Sequence, residues 1–488
     1  MARFIPAQLQ TWTGGLLVQT PEAEQHSERF YRGISTDTRS LRSGEAFLAL
    51  RGENYDGHNF VDQAIAKGAK MLILDEKSQQ AMSLYNAIRQ GKDEPDLLLV
   101  ADTLKAYQKI AEGYRSTLLA PVIGITGSVG KTTTRRMVAS ILSSQLKLHQ
   151  TSNNENNQIG LPLTLLSADD EDEVIVAEMG MDHRGEIKIL SKVAKLDIAI
   201  ITSVGYSHAK YLGSREDILK EKTDIVAGLK SNGIVLINGQ DTHLNAWALN
   251  YKGTTSVWRI CNEQTEIGED YQNFPCFWAE DLEVGVDGTT FTAKTSLDPA
   301  EAWRVKIKVP GKYLIRAALF GLATAYALGL DMDIAVQGCL NFSNTGNRQR
   351  IVDKGSYLMI DDSYNSSPES VTAALDTLSM IACDRRKVAC ISAMRELGKY
   401  AEDLHTHIGY KIAELGVSLL YLVGEESKWV ASAARQIKPD IEIITCKDSA
   451  EVAEEIVKRV EEGDCILIKG SRFYQMEKIA QALEEQMP

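Results

Sequence analysis

Apolar runs of strand length alternate with longer polar and apolar segments along most of the chain. DEVIVAEMG and LDIAIITSVG are almost continuously apolar, which is typical of strands buried on both faces of a parallel sheet. GIVLIN repeats this form at residues 233–238. TLKAYQKIAEGYRSTL is an intervening segment with the length and periodicity of a helix. This alternation predicts the α/β class with parallel sheets.

The alternation falls into three blocks, which we interpret as three domains. Residues 1–100 contain the strand-like runs GEAFLAL and AKMLILDE and a helix-like run that ends at Gly68, which predicts a small α/β domain. Residues 101–340 contain the parallel strands, and their partly alternating runs at 253–308 predict an antiparallel insertion. Residues 341–488 repeat the strand–helix alternation and predict a second doubly wound domain.

The strongest chemical motif is PVIGITGSVGKTTT at residues 121–134. A β-branched run precedes Gly127 and Gly130, and Lys131 and Thr132 open an amphipathic segment, so the motif has the strand–loop–helix context of a phosphate-binding loop. The strict G-x-x-x-x-G-K-S/T pattern is not met, because isoleucine stands at its first glycine. The alternative is a glycine-rich turn with an incidental lysine, but the order of the elements favours a nucleoside triphosphate site.

Residues near the ends of the following strands are candidates for the metal that accompanies a triphosphate. Glu178 ends the strand VIVAEMG, beside the loop, where a carboxylate is suited to Mg²⁺. His208 follows the next strand, although imidazole is an unusual ligand for Mg²⁺. Lys222 lies in the charged run EDILKEKTDIVAGL, and composition alone indicates a surface lysine.

Four polar clusters complete the candidate sites, and each has a plain structural alternative. Residues 35–39 read STDTR, which by itself favours an ordinary capped turn. The asparagine-rich stretch 151–157 is either a capped loop before a helix or a surface that binds polar substrate groups. Residues 361–368 and 469–472 each follow a strand, where ligands bind in doubly wound sheets, and Lys-Gly-Ser-Arg suits a carboxylate or phosphate.

Composition narrows the class of protein without identifying it. A net charge of −13 over 488 residues argues against a general nucleic-acid or membrane-surface binder. The seven cysteines are scattered and form no C-x-x-C pair, so neither a zinc site nor a disulfide framework is indicated. No run approaches a membrane span, and the N-terminal residues lack the apolar core of a signal peptide. We therefore expect a cytoplasmic protein.

These stretches together resemble the Mur ligases, ATP-dependent amide ligases of bacterial peptidoglycan synthesis. The resemblance runs from STDTRSLRSGEAFLALRGENYDGHNF through GITGSVGKTTT, NNENNQIGLPLTLL and EMGMDHRGEI to DDSYNSSPES, MRELG and IKGSR. Several of these stretches, DDSYNSSPES and MRELG in particular, are typical of the branch that adds D-alanyl-D-alanine to a UDP-N-acetylmuramoyl-tripeptide. The D-[D/N]-P-R signature of the diaminopimelate- or lysine-adding branch is absent.

The resemblance implies a UDP-sugar-peptide domain, a central ATPase and a C-terminal Rossmann-like domain, with ATP and Mg²⁺ as cofactors. It implies catalysis by Lys131, Glu178, His208 and Lys222, with Lys222 carbamylated. The implied metal ligands are Thr132, Glu178, His208 and Lys222. The implied nucleotide-binding residues are Gly127, Ser128, Gly130, Lys131, Thr132, Thr133, Arg348, Asp362 and Asn365. The implied substrate-binding residues are Ser35, Asp37, Arg39, Asn154, Asn156, Asn157, Ser471 and Arg472.

The implied reaction forms an acyl phosphate on the tripeptide carboxylate, which the amine of the dipeptide then attacks. We expect a monomer that binds these two substrates and neither nucleic acid nor a membrane. Two alternatives stay open: a Mur-like ligase for another amino acid or dipeptide, and a nucleotide-binding regulatory protein without ligase activity. The chain departs from the family pattern at Tyr313, Ala317, Ser203 and the pair Ser392-Ala393. The resemblance therefore constrains the residues that contact adenine and the identity of the incoming dipeptide less than it constrains the rest of the site.

Overall fold

The structure is a computed structural model that describes residues 3–20, 30–52, 55–152, 154–264, 273–285, 287–344 and 346–486. Its strands form three sheets that follow one another along the chain. The predicted α/β class with three sheet-containing units is confirmed. The division of the chain near residues 100 and 340 stays a prediction.

The first sheet has five strands in the order β1-β5-β4-β3-β2, and all but β1 are parallel to their neighbours. The strands are β1 (Leu16–Val18), β2 (Ile34–Ser35), β3 (Ala46–Leu48), β4 (Met71–Asp75) and β5 (Asp96–Val100). The helices are α1 (Pro6–Thr13), α2 (Val61–Ala66), α3 (Gln79–Arg89) and α4 (Thr103–Arg115). The helix predicted to end at Gly68 ends at Ala66, and Gly68 follows with a φ of +86°.

The central sheet has nine strands in the order β14-β13-β12-β11-β10-β9-β6-β8-β7. The strands are β6 (Val122–Thr126), β7 (Leu148–Gln150), β8 (Val174–Glu178), β9 (Leu196–Ile201), β10 (Leu229–Asn238), β11 (Ser256–Glu263), β12 (Cys276–Gly285), β13 (Gly288–Thr295) and β14 (Ala302–Ile307). The helices are α5 (Lys131–Leu142), α6 (Gly160–Ser167), α7 (Glu186–Ala194), α8 (Ala209–Leu212), α9 (Arg215–Thr223), α10 (Thr242–Asn250), α11 (Tyr313–Ala327) and α12 (Met332–Leu340).

The prediction of an antiparallel insertion over residues 253–308 is wrong for its first half. β11 runs parallel to β10, with Val257 beside Val235, and β12 runs parallel to β11. Only the pairs β12–β13 and β13–β14 are antiparallel, and all of these strands extend the central sheet. Because α10 lies between β10 and β11, it supplies the crossover that a parallel pair requires, and the short alternating runs do not reveal this.

The third sheet has six strands in the order β15-β16-β20-β17-β18-β19, with only β15 antiparallel. The strands are β15 (Arg350–Asp353), β16 (Tyr357–Asp362), β17 (Lys387–Ser392), β18 (Leu419–Val423), β19 (Glu442–Cys446) and β20 (Asp464–Lys469). The helices are α13 (Pro368–Ala382), α14 (Ala401–Glu414), α15 (Ser427–Ile437), α16 (Ser449–Ile456) and α17 (Glu477–Gln486). The five strands predicted here are confirmed, and the edge strand β15 was not predicted.

Two glycines allow helices from late in the central unit to pack closely on α5, which begins at the predicted phosphate loop. A Cβ on Gly321 of α11 would lie 2.4 Å from Ile141 Cδ1, and one on Gly338 of α12 would lie 2.7 Å from Ile141 Cα. Ser140 Oγ also donates to the Gly338 carbonyl at 2.8 Å. No helix among the described residues is both long enough and apolar enough to cross a bilayer.

Candidate active site

The loop between β6 and α5 has a conformation that only glycine tolerates at two positions. Gly127 has a φ of +147°, and a Cβ there would lie 2.0 Å from Thr202 Oγ1. Gly130 has a φ of +87° and caps the N-terminus of α5. Both glycines are therefore required for this backbone. The amide groups at the first turn of α5 form the kind of helix terminus that binds phosphate oxygens.

Ser203, which departs from the family pattern, fixes the same loop. Its hydroxyl accepts from the Val129 amide at 3.0 Å and donates to the Val129 carbonyl at 3.1 Å. Its own carbonyl accepts from the Ser128 amide at 3.0 Å. The Ser128 hydroxyl in turn accepts from the Gly205 amide at 2.9 Å. The departure thus lies against the phosphate loop, where it orders the backbone.

Lys131 points back along the loop. Its ammonium donates to the carbonyl of Gly127 at 2.6 Å and to that of Ser128 at 3.3 Å. Burial, together with the nearby positive charge of Arg348, lowers the pKa of Lys131, while Glu178 opposes that shift. The Lys131 side chain is therefore held inside the loop, beside the N-terminus of α5, and this arrangement favours an anionic ligand.

Glu178 lies at the end of β8 and is buried beside the first turn of α5. Its Oε1 accepts from Thr132 Oγ1 at 3.1 Å and from Asn156 Nδ2 at 2.9 Å. Its Oε2 pairs with Arg135 Nε at 3.2 Å. Register explains this placement, because β6 and β8 are adjacent parallel strands and Ile125 is opposite Glu178.

The donor set of this corner fits Mg²⁺. A hydroxyl and a carboxylate, both oxygen donors, lie within hydrogen-bond distance of each other at Thr132 and Glu178. No cluster of three or more His, Cys, Asp or Glu side chains suited to a metal occurs among the described residues. Mg²⁺ in nucleotide sites commonly takes one or two protein oxygens and completes its shell with phosphate oxygens and water, so a sparse donor set is what it requires.

Lys222, which composition alone places at the surface, is 1% exposed at the end of α9. The described residues provide no hydrogen bond or ion pair to its ammonium. The adjacent Glu221 is engaged elsewhere, accepting from the Gly185 amide at 2.7 Å and the Ile187 amide at 3.0 Å. Burial, and then the charge of Lys131, lowers the pKa of Lys222 well below its ordinary value.

His208 follows β9, the strand that is adjacent to β6 in the central sheet. Its backbone is in a left-handed conformation with a φ of +64°. Its Nδ1 is 3.1 Å from Oε2 of Glu396, which belongs to the third sheet's unit, and 3.8 Å from Oδ1 of Asp182. Burial, followed by the charges of Lys222 and Lys131, lowers the pKa of His208, while Glu396 and Asp182 oppose this.

The edge of the third sheet supplies the opposite wall. Lys469 at the end of β20 pairs with Asp362 at the end of β16, with Nζ and Oδ2 2.9 Å apart. Burial raises the pKa of Asp362, and the Lys469 charge opposes that shift. The Arg348 guanidinium lies 4.0 Å from the centre of the Tyr364 ring. The Tyr364 hydroxyl also accepts from Asn154, which belongs to the central unit.

One cavity of about 740 Å³ lies between the two sheet edges. It brings together most of the residues that the sequence singled out, and those lining it are Ser128, Gly130, Lys131, Thr132, Thr133, Asn154, Asn156, Asn157, Glu178, His208, Arg348, Asp362 and Asn365. Tyr313 and Ala317 also line it, so these departures do lie at the cavity. Asn157 additionally caps α6, its Oδ1 accepting from the Gly160 amide at 2.9 Å, so the capped-loop interpretation is confirmed at this residue, and substrate binding by the asparagine stretch stays a prediction.

The remaining candidates do not line this cavity. Gly127 belongs to the loop and lies against Thr202, and Lys222 is buried. Ser471 is buried, with its amide donating to Ser392 Oγ at 3.0 Å, and Arg472 lies 6.0 Å from the Tyr364 ring. Asn153 of the asparagine stretch lies outside the described residues.

The cluster after β2 has the geometry of the ordinary capped turn that its sequence favours. Arg39 Nη2 and Asp37 Oδ2 are 2.6 Å apart, and Ser35 Oγ donates to the Asp37 carbonyl at 2.9 Å. The arginine side chain is mostly exposed. A role for Ser35, Asp37 and Arg39 in binding substrate stays a prediction.

Sequence reasoning missed several residues of the site. Arg135 follows Lys131 by one helical turn, and that spacing is a signal that it faces the same strand ends. Glu369 and Arg316 line the cavity from α13 and α11; Glu369 lies in the quoted run DDSYNSSPES, but nothing in the sequence singled out either residue. Glu396 lies in the quoted run MRELG, but nothing in the run indicates that it reaches His208.

Comparison with known proteins identifies relatives of the whole chain. Three family profiles match consecutive regions: "Mur ligase family, catalytic domain" at residues 30–115, "Mur ligase middle domain" at 125–325, and "Mur ligase, glutamate ligase domain" at 347–472. The UDP-N-acetylmuramoyl-tripeptide–D-alanyl-D-alanine ligase of Bacillus subtilis (strain 168) is 32% identical over 94% of this chain and 95% of its own length. The Escherichia coli (strain K12) ligase of the same name is 31% identical over 93% of each chain.

Solved structures show the same fold. A crystal structure of MurF from Acinetobacter baumannii superimposes with a TM-score of 0.84 at 28% identity, over 99% of this chain and 100% of that one. The MurF ligase of Thermotoga maritima, in complex with ADP, superimposes with a TM-score of 0.77 at 25% identity, over 93% of this chain and 97% of that one.

Proposed function

The chain belongs to the Mur ligase family, and on that premise we propose that it is the ATP-dependent ligase that joins D-alanyl-D-alanine to UDP-N-acetylmuramoyl-tripeptide in peptidoglycan precursor synthesis. The observation that carries the proposal is the cavity of about 740 Å³ in which the loop between β6 and α5 faces the strand ends of the third sheet. We further propose that the protein acts as a monomer in the cytoplasm, where ATP is supplied.

The reaction has two steps. The terminal carboxylate of the tripeptide attacks the γ-phosphorus of ATP, the bond to the β-phosphate oxygen breaks, and an acyl phosphate and ADP form. The amine of D-alanyl-D-alanine then attacks the acyl carbon, phosphate leaves with the bonding electrons, and the amine proton passes to solvent. Exclusion of water protects the acyl phosphate between these steps.

The loop residues are placed for the first step. The amides of Gly130, Lys131 and Thr132 bind the phosphate oxygens, and the Lys131 ammonium neutralises negative charge that develops on the transferred group. Ser128 and Thr133 complete the loop wall, and Gly127 gives it room to turn. When bound, Mg²⁺ held by Thr132 and Glu178, with a second ion at His208 and carbamylated Lys222, supplies further neutralisation of the phosphates.

The two flanking units hold the rest of the substrates. We propose that Arg348, Asp362 and Asn365 bind the nucleotide from the third sheet, because they line the cavity opposite the loop. Asn154, Asn156, Asn157, Ser471 and Arg472 are proposed to bind the tripeptide and the incoming dipeptide. We propose that the UDP end is bound in the first domain, residues 1–100, by Ser35, Asp37 and Arg39. The central domain is proposed to cover residues 101–340 and the C-terminal domain residues 341–488.

Carbamylation of Lys222 is supported by its surroundings. A buried amine without a carboxylate partner, beside a second lysine, is unfavourable as an ammonium and is therefore available as the neutral nucleophile. Its nitrogen attacks the carbon of CO₂, a C–N bond forms, one C=O electron pair moves to oxygen, and a proton leaves to solvent. The product has an anionic pair of oxygens in place of a cation, which suits the metal site.

The test measures phosphate release from ATP with UDP-N-acetylmuramoyl-tripeptide and D-alanyl-D-alanine supplied separately and together. Release that requires both substrates is the expected result. Release with a different amino acid or dipeptide, but not with D-alanyl-D-alanine, would favour the Mur-like alternative. No release with any amine, together with measurable ATP binding, would favour a regulatory nucleotide-binding protein and overturn the proposal.

A further inference from the structure

The segment Gly205–Leu212 of the central unit, which carries His208, contacts residues of the third sheet's unit as well as residues of its own unit. The Tyr206 amide donates to Glu369 Oε1 at 3.1 Å, and the Tyr206 ring lies 5.1 Å from the ring of Tyr400. The Lys210 amide donates to the carbonyl of Glu396 at 2.9 Å. The conformation of this segment therefore depends on residues more than 150 positions later in the chain.

A further contact between the two units joins His208 and Glu396, which have the same unusual backbone conformation. His208 and Glu396 both have a φ of +64°, a region that residues with a Cβ rarely adopt. Gly398 lies close to the same segment, because it has a φ of +56° and a Cβ placed on it would be 3.3 Å from Lys210 Cα. Such backbone strain persists only where the surrounding contacts maintain it, and it concentrates at functional sites.

The geometry fixes one nitrogen of the imidazole. Nδ1 of His208 is 3.1 Å from Oε2 of Glu396, which is hydrogen-bond distance, whereas Asp182 Oδ1 at 3.8 Å is too far to replace it. A carboxylate only accepts hydrogen bonds, so Nδ1 must carry the proton. In a neutral ring Nε2 then has the free lone pair. This nitrogen can accept a hydrogen bond or bind a metal ion in the cavity that His208 lines.

We propose that Glu396 is a positioning residue: from the third sheet's unit it sets the tautomer and orientation of His208, so that this side of the active site is complete only when the two units are docked. The inference deepens the proposed function and rests on it for its kinetic consequence. A carboxylate that orders the second nitrogen of a functional imidazole commonly affects activity or metal affinity by about 10–100-fold.

The first experiment reads the tautomer directly and needs no turnover. The full-length protein is labelled with ¹⁵N-histidine, its long-range ¹H–¹⁵N spectrum is recorded without metal or nucleotide, and the His208 signal is assigned by its loss in His208→Asn. We expect a protonated Nδ1 in the unsubstituted protein and in Glu396→Gln, whose amide oxygen still accepts. In Glu396→Ala we expect the proton to move to Nε2.

Glu402→Ala is the matched control, since Glu402 is an exposed acid six residues farther along the same unit. It is expected to leave both the His208 signal and the ligase rate unchanged. Steady-state rates of the same proteins give the second readout: kcat of Glu396→Ala falls about 10–100-fold, and Glu396→Gln recovers part of the loss.

The outcomes separate this inference from the proposed function. If Nδ1 stays protonated in Glu396→Ala, or is not protonated in the unsubstituted protein, the positioning role of Glu396 is wrong. If the unsubstituted protein has no ligase activity while the tautomer changes as expected, the positioning role stands and the proposed function fails. A circular dichroism spectrum of Glu396→Ala that matches the unsubstituted protein shows that the chain has folded.

Discussion

Lys222 and Lys469 are buried almost equally, at 1% and 2% exposed, but their partners differ. Lys469 lies 2.9 Å from a carboxylate oxygen of Asp362 and also donates to the Asn365 carbonyl at 2.5 Å. Lys222 has no such partner among the described residues, and a second lysine, Lys131, influences its charge instead. The paired lysine is a stable cation that joins two strand ends, whereas the unpaired lysine is suited to a chemical change.

The largest expected effect is the loss of ligase activity when the side chain of Lys222 is removed. Lys222→Ala should reduce kcat by about 100-fold or more, because a proposed metal ligand is lost. Added short carboxylates should restore part of the rate by occupying the space of the carbamate. Phosphate release measured with both substrates tests this expectation, and Lys220→Ala, an exposed lysine on the same helix, is the control. Full activity in Lys222→Ala would eliminate the carbamate proposal.

The second effect concerns stability and has opposite signs at the two lysines. Lys469→Met leaves Asp362 as an unpaired buried charge and should lower the free energy of unfolding by about 3–5 kcal/mol. Lys222→Met removes an unpaired buried amine and should keep or raise that free energy. Urea denaturation of both variants in CO₂-depleted buffer gives the values. Equal losses at both positions would mean that Lys222 has a partner in solution.

The third effect is a pH dependence. The folded-state pKa of Lys222 lies well below its ordinary value, so between these two pKa values the unfolded chain binds more protons. The free energy of unfolding should therefore rise with pH through that window, with a contribution of at most about 1.4 kcal/mol per pH unit. Lys222→Met should lack this contribution. Identical pH profiles of the two proteins in CO₂-depleted buffer would contradict the assignment.

The smallest expected effect follows from removing the carboxylate partner of Lys469, so that this lysine, like Lys222, has no carboxylate beside it. Asp362→Asn removes the opposite charge and leaves one acceptor oxygen, which can serve Lys469 but then turns the NH₂ group toward the Gln349 amide. We expect a loss of about 1–2 kcal/mol in the free energy of unfolding, smaller than that of Lys469→Met, because the Lys469 ammonium keeps hydrogen bonds to the amide oxygen and to the Asn365 carbonyl, whereas the carboxylate charge and the acceptor for the Gln349 amide are lost. The same urea experiment measures it, and a loss as large as that of Lys469→Met would assign the stability to charge alone.

Sequence patterns predicted the features that depend on neighbouring residues along the chain, namely the strands and the residues at their ends. Continuous apolar runs identified the parallel strands, and because such strands end at one edge, Glu178 and Asp362 could be placed at a site. The direction of β11 and β12 was not predictable, since a short apolar run is compatible with either pairing. The burial of Lys222 was hidden in the same way, because a charged helix indicates solvent and only tertiary packing decides otherwise.

Contacts between the two facing units were outside the reach of the sequence. Tyr206 packs against the hydrophobic clusters of both units, and Glu396 meets His208 across the same interface. No periodicity or spacing in the sequence predicts either contact, because each contact depends on how two separate sheets pack against one another. Arg135 is the intermediate case, with a helical spacing from Lys131 that was visible but was not used.

The packing of α11 and α12 on α5 has a consequence for biosynthesis. The hydrogen bond from Ser140 to Gly338 spans 198 positions, so α5 cannot complete its packing until those residues have left the ribosome. At about 5–20 residues per second, that delay is about 10–40 s after α5 itself is made. During this interval the apolar face of α5 that includes Ile141 lacks its final cover.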